Sequence, residues 1–186
     1  MGHAGTLDPM ATGLMIIGVG EGTKKLQEFL KLPKTYEAEI LLGIQTDTGD
    51  VTGKILKEVG IKNYELREEE IRKVLREMTG RLELPVPAYS AIKRGGEALY
   101  KKARRGEVVD TPIKTMEVRS AECLAITFVA YSYDRTYTPR IVPEEKSKLV
   151  VQVRFNVGSG TYIRSLAEEF GRRLGVPATL AGLRRT

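Results

Sequence analysis

The stretch GHAGTLDPMATG, residues 2–13, sets how the rest of the chain is read. Three glycines and a proline within it rule out a regular element and predict a loop with tight turns. Its reactive groups are His3 and Asp8, and His3 is the only histidine in all 186 residues. Taken alone, Asp8-Pro9 reads as the start of a turn. Whether it does more depends on the sequence around it.

Outward from that loop, LMIIGVG (14–20) is a short apolar run and predicts a buried strand. GTKKLQEFLKL (22–32) places Leu26, Phe29 and Leu30 at helical spacing, and Pro33 ends the helix. KTYEAEILLG (34–43) alternates Tyr36, Ala38, Ile40 and Leu42 on one face of a strand. TDTGDVTG (46–53) reads as a solvated turn, and KILKEVG (54–60) as a further strand. A helix over 66–80 carries the stripe Ile71, Val74, Leu75 and Met78, with Leu66 outside it and an acidic start at Glu68–Glu70. ELPVPAYSAI (83–92) holds two prolines and must be extended or looped.

GGEALYKKARRGE (95–107) predicts a helix with Ala98, Leu99 and Ala103 facing inward. KTMEVRSAECLAITFVAYSY (114–133) and KLVVQVRFNVG (148–158) predict two long strands, with an insertion over 131–147 in the hairpin between them. TYIRSLAEEFGRRLG (161–175) is an amphipathic helix with Ile163, Leu166, Phe170 and Leu174 inside, stopped by Gly175. Helices interleaved with hairpin-like strand pairs give an α+β class, with a mixed or mostly antiparallel sheet flanked by helices.

Composition narrows the chemistry. A net charge of +6 and a pI near 9.4 make an acidic polymer, most simply nucleic acid, a natural partner. One cysteine, Cys123, cannot form an internal disulfide, which fits a reducing cytoplasm. One histidine and one cysteine cannot build a zinc finger, and a Ser-His-Asp triad would have to use His3. No apolar run approaches the ~18 residues that cross a membrane. GVGEGTKK (18–25) lacks the third glycine of a dinucleotide loop, and Gly53-Lys54 lacks the Walker A spacing, so a nucleotide cofactor is not expected. Carboxylates, tyrosines and cations remain.

Four blocks then fit one pattern. GHAGTLDPMATG matches G-H-x-G-x-L-D-P-x-A-x-G at every fixed position. KTYEAEILLGIQTDTGDVTG (34–53), PVPAYSAIKRGGEALYKKARRGE (85–107) and GSGTYIRSLAEEFGRRLG (158–175) follow in order, then LRR at 183–185. On these residues the chain resembles the TruB family of tRNA pseudouridine synthases. The resemblance implies the pseudouridine synthase catalytic fold over 1–186. It also implies isomerisation of uridine 55 in the tRNA T loop: N1–C1′ is cut, the flipped uracil turns, and C5 joins C1′. No metal or organic cofactor is implied. A monomer acting on the T arm, away from membranes, is expected. Relatives begin further upstream, with a K-P-x-G-x-T-S type motif, and many continue into a small RNA-binding domain. The chain is therefore expected to be the catalytic domain without these.

The resemblance also assigns residues. Asp8 is the catalytic aspartate, acting as nucleophile at C1′ or as base at C2′. Arg164 pairs with it and orients it through a forked hydrogen-bond geometry. Tyr36 stacks on the target base, and its hydroxyl is a candidate for proton transfer at C5. Tyr162 and Leu183 wall the uracil pocket, a role compatible with core packing. His3 stacks on extruded loop nucleotides. Lys93, Arg94, Lys101, Arg104 and Arg105, in a cation-rich stretch with little acid nearby, are expected on RNA phosphates. Three rival readings stand beside this one: a guide-RNA-dependent synthase subunit, an inactive tRNA-binding or folding module, and a scaffold with no RNA affinity.

Overall fold

The computed structural model describes residues 1–61, 66–130 and 147–186. The chain opens with three two-residue strands, β1 (Gly2–His3), β2 (Thr12–Gly13) and β3 (Ile17–Gly18). A 3-10 turn over Gly20–Lys25 runs into α1 (Leu26–Lys31), and β4 (Lys34–Leu42) follows. β5 (Ile44–Thr46) and β6 (Ile55–Glu58) form a hairpin, then come α2 (Glu68–Glu77) and β7 (Gly80–Pro85). β8 (Lys93–Arg94) and β9 (Glu97–Ala98) lead into α3 (Leu99–Arg104). The long strands β10 (Ile113–Ala130) and β11 (Ser147–Val157), the helix α4 (Ile163–Arg173) and β12 (Ala178–Arg185) complete it.

Six strands make the main sheet in the order β2-β12-β4-β11-β10-β7. Every pairing is antiparallel except β2 with β12. This is the expected α+β class with a mixed, mostly antiparallel sheet. The period-two pattern of β4 does what it predicts: Ala38, Ile40 and Leu42 are buried on one face, with Tyr36 packed at the edge of that cluster. Val151, Val153 and Phe155 of β11 extend the same face, and α2 and α4 cover it with Ile71, Leu75, Leu166 and Phe170. On the opposite face Leu41, Ile44 and Val150 form a small second cluster under the β5–β6 hairpin. Beyond that hairpin the face is polar, with Arg154 between Glu37 (3.1 Å) and Glu122 (3.3 Å).

Three expectations need correction. LMIIGVG is not a buried strand: only Ile17–Gly18 pairs, and Leu14, Ile17 and Val19 are 58, 51 and 69% exposed. Its partner β1 is two residues long, and of the run only Gly18, against Leu26, is buried. The helix over 22–32 splits into a 3-10 turn and six α-helical residues, which leaves Leu26 buried but Phe29 37% exposed. TDTGDVTG is not a solvated turn, because Thr46 and Asp50 are buried. Leu180 N–H donates to the Gly49 carbonyl at 3.0 Å and Val51 N–H to the Leu180 carbonyl at 3.0 Å, which ties this loop to β12. The proposed insertion at 131–147 falls outside the described residues apart from the start of β11.

Candidate active site

Asp8 lies on the glycine-rich loop between β1 and β2. A turn holds its backbone, with Ala11 N–H donating to the Asp8 carbonyl at 2.9 Å. The loop itself is clamped by Arg185, which sits 5% exposed on β12. Its Nε donates to the Leu14 carbonyl (2.6 Å), and both Nη atoms reach the Gly5 carbonyl (3.3 Å). Gly5 has φ +98°, a conformation that favours glycine, and a Cβ there would meet the Arg185 guanidinium. The Arg185 clamp has no signal in the sequence beyond its place in the LRR block.

Arg164, in the first turn of α4, reaches the same place from the other side. Its side chain is 7% exposed. Nη2 donates to Asp8 Oδ1 at 2.9 Å and to the Tyr89 carbonyl at 3.1 Å. Nη1 donates to the Thr48 carbonyl at 2.9 Å and lies 3.8 Å from Asp50 Oδ2. The expected two-pronged fork onto Asp8 is therefore not formed. One guanidinium nitrogen serves Asp8, and the remaining donors tie down the 46–53 and 85–92 loops. A planar, always-charged group with several fixed donors suits this task, and a lysine could not reach all three acceptors and Asp50 at once.

Asp50 is the functional candidate that the sequence reading missed. Its Oδ1 accepts from Thr48 Oγ1 and Thr52 N at 2.9 Å each and from Thr52 Oγ1 at 2.5 Å. Its other oxygen faces Arg164. The guanidinium thus sits between two carboxylates, the buried Asp50 and the more open Asp8 (side chain 27% exposed). The buried cation is held by the Asp50 charge and three hydrogen bonds, one of them to Asp8, whose other oxygen faces open space. The signal available in the sequence was the run Thr46-Asp47-Thr48-Gly49-Asp50-Val51-Thr52, too rich in hydroxyls for an ordinary turn.

The open space is a cavity of about 780 Å³. Asp8, Arg164, Tyr36, Tyr162 and Leu183 all line it. Tyr162 is half-buried, and burial pushes its hydroxyl pKa up; Arg164 nearby opposes that rise and Asp8 adds to it. The Lys114 ammonium lies 5.6 Å from the centre of the Tyr162 ring. Lys34, also on the cavity wall, donates to the Phe29, Leu30 and Leu32 carbonyls at the end of α1. Its pKa is lowered, first by burial and then by Arg185. Ser90 Oγ, beside Tyr89, is the one buried side-chain polar atom among the described residues without a hydrogen-bond partner.

Other sequence candidates lie elsewhere. His3 is exposed on β1, opposite Ile17, and does not line the cavity. Of the cations on 93–105, Arg104 alone reaches the cavity wall. The expectation of little acid nearby is corrected by three ion pairs. Arg94 meets Asp110 at 2.6 Å, and Arg105 meets Glu97 at 2.6 Å and Glu107 at 2.7 Å. Hydrogen bonds from Glu97 and Glu107 raise the Arg105 pKa, and the Arg105 guanidinium lowers that of Glu97. Lys93 and Lys101 are exposed without such pairs among the described residues. No group of three or more His, Cys, Asp or Glu among the described residues is placed to hold a metal ion.

Residues 1–163 match the N-terminal domain of the TruB family of pseudouridylate synthases. A tRNA pseudouridine synthase B of Xanthomonas oryzae pv. oryzae is 43% identical over 184 residues, 99% of this chain and 53% of that protein. One from Gloeothece citriformis is 41% identical over 186 residues, 100% of this chain and 54% of its own. The chain thus spans about half the length of these relatives. Among solved structures, a chain of a Cbf5-Nop10-Gar1 complex superposes with TM-score 0.62 at 27% identity, covering all of this chain and 39% of that one. A chain of an H/ACA ribonucleoprotein bound to a substrate RNA containing 2′-deoxyuridine gives TM-score 0.61 at 24% identity, with coverage of 100% and 37%.

Proposed function

Since the chain belongs to the TruB family of pseudouridylate synthases, we propose that it carries the catalytic region of an enzyme that isomerises uridine to pseudouridine in the T loop of tRNA, at position 55. The observation that carries this reading is the 2.9 Å Asp8–Arg164 contact on the wall of a cavity also lined by Tyr36, Tyr162 and Leu183. Relatives named tRNA pseudouridine synthase B, at 41–43% identity, support tRNA as substrate. The guide-RNA alternative rests on structural likeness at 24–27% identity and is the weaker reading. All the groups just named come from one chain, which supports a monomer. With one cysteine in the sequence, we place it in the cytoplasm.

The chemistry follows from these groups. Breaking N1–C1′ leaves its electron pair on uracil and an electron-deficient C1′. Asp8 answers that deficiency in one of two ways: its carboxylate bonds to C1′, or it removes the C2′ proton. Arg164 holds the carboxylate in place through a single N–H, so the oxygen not bound to Arg164 stays available. Tyr36 and Leu183 wall in the detached base while it turns. C5 then bonds to C1′ as the Asp8–C1′ bond breaks or, on the second route, as Asp8 returns its proton to C2′; the C5 proton leaves and N1 takes up a proton. The raised pKa of Tyr162 keeps its hydroxyl protonated beside a base that carries negative charge.

Tritium release from C5-labelled uridine in an unmodified tRNA transcript tests this. The chain releases tritium, and Asp8→Asn loses on the order of 10⁴-fold or more of the rate while still binding tRNA. Binding without release from the parent chain would sink the claim that these residues suffice.

A further inference from the structure

The cavity wall extends beyond the groups assigned to the uracil reaction. Its volume, about 780 Å³, lies within the range of roughly 300–1,000 Å³ that takes a drug-sized ligand, several times what a bare uracil ring fills. The reacting groups Asp8, Arg164, Tyr36 and Tyr162 account for part of the wall. Another part is built by α3, through Tyr100 and Arg104. These two are four residues apart, hence neighbours one turn along a helix face. The Arg104 guanidinium lies over the Tyr100 ring, 5.3 Å from its centre.

The pair is anchored rather than loose. Tyr100 N–H donates to the Ser90 carbonyl at 3.1 Å and Leu99 N–H to the Ile92 carbonyl at 2.8 Å. That ties the start of α3 to the loop whose Tyr89 carbonyl Arg164 holds. Leu99, one residue before, is fully buried. Arg104 also differs from its neighbour Arg105. Arg105 is matched by Glu97 and Glu107, whereas no carboxylate among the described residues pairs with Arg104. An arginine stacked on a tyrosine, with its charge unmatched and facing a cavity, has the chemistry that holds an unpaired base by its face and the adjoining phosphate by its charge.

We propose that Tyr100 and Arg104 form a second nucleotide subsite, on which the base of a nucleotide adjacent to the target uridine stacks. This rests on the reading that an RNA loop enters the cavity, but not on turnover. Two neighbouring unpaired nucleotides are then held by two different surfaces, one that reacts and one that only grips. Gripping the neighbour keeps the target extruded, since its return to the loop stack would require both bases to leave the protein.

The test is a coupling measurement on the full chain. Equilibrium affinity is measured for an unmodified T-arm stem-loop and for two copies with an abasic residue immediately 5′ or 3′ of the target. On the intact RNA, Tyr100→Leu weakens binding roughly ten-fold, in the range of a lost base–aromatic stack. Tyr100→Phe, which keeps the ring, stays within about two-fold. On one of the two abasic RNAs the Tyr100→Leu penalty disappears, and that RNA identifies the flank. An equal Tyr100→Leu penalty on all three RNAs, or none on the intact one, overturns the subsite. So does a loss with Tyr100→Phe as large as with Tyr100→Leu. Tritium release by the parent chain is scored separately. Coupling without release would sink the claim that these residues suffice for turnover and leave the subsite standing, and release without coupling would do the reverse.

Discussion

At the scale of single residues, the site turns on how one buried cation is satisfied. Arg164 has three hydrogen-bond acceptors and a second carboxylate within reach, and only one of those contacts is to Asp8. Asp50 therefore has two separable jobs: its charge balances Arg164, and its Oδ1 organises Thr48 and Thr52. Removing one partner of a buried pair costs about 3–5 kcal/mol, and lost hydrogen bonds to a buried carboxylate add to that. Asp50→Ala is expected at the low end, about 3 kcal/mol, because Asp8 still faces Arg164. At about 2–4 °C per kcal/mol for a chain of this size, its melting temperature falls by roughly 6–12 °C. Asp50→Asn keeps the acceptor for Thr52 and loses only charge, so it melts closer to the parent while tritium release still drops. Equal melting of the two variants would show that charge, not the acceptor, holds the loop.

At the scale of elements, α4 shows how a helix is stopped and seated. Gly175 has φ +75°, Val176 N–H donates to the Gly171 carbonyl at 3.0 Å, and Gly175 N–H donates to the Arg172 carbonyl at 3.2 Å. These paired bonds make a Schellman cap, as the sequence position of Gly175 implied. Gly171 has a different role. A Cβ there would lie 2.5 Å from Ala178 Cβ and 2.6 Å from the Val176 carbonyl oxygen. In an open helix Gly→Ala is stabilising by up to about 1 kcal/mol. Here the obstacles are the first residue of β12 and backbone, neither able to swing aside, and overpacking costs about 1–3 kcal/mol. Gly171→Ala is therefore expected to lower stability by about 1 kcal/mol or more, read from urea unfolding. A more stable variant would mean that β12 shifts freely against α4.

The same scale explains what could be read in advance. β4, α2, β10, β11 and α4 announced themselves because each carries a long periodic stripe against one large core. LMIIGVG failed for the opposite reason: an apolar run says that burial is favourable without naming what covers it. The 46–53 loop failed because its burial is imposed from outside, by β12 and Arg164. Asp8, Tyr36, Tyr162, Arg164 and Leu183 were assigned by motif, and the structure brings all five to one cavity. Asp50 and Arg185, as buried as any of them, do their work through contacts separated by more than a hundred residues.

At the scale of the whole molecule, the net charge of +6 is distributed in a way that composition hides. Some cations on the 93–105 stretch are internal ties and others face solvent. Arg94 is held by Asp110 and Arg105 by Glu97 and Glu107, whereas Lys93 and Lys101 are exposed and carry no such partner among the described residues. Each phosphate neutralised by a lysine or arginine releases counterions and steepens the fall of log K with log salt by roughly 0.7–0.9. Replacing Lys93 and Lys101 together by glutamine should then flatten the salt dependence of tRNA binding by up to about 1.4–1.8. Arg105→Gln should leave the slope unchanged, because its charge is already spent on two carboxylates. Filter binding of one tRNA transcript across a salt series reads both slopes. If Arg105→Gln flattened the slope as much as the lysine pair, its carboxylate partners would have to yield to RNA, and the division between ties and contacts would fail. If neither changed it, the phosphates would lie over another face, and the entrance beside α3 would not be where the RNA backbone runs.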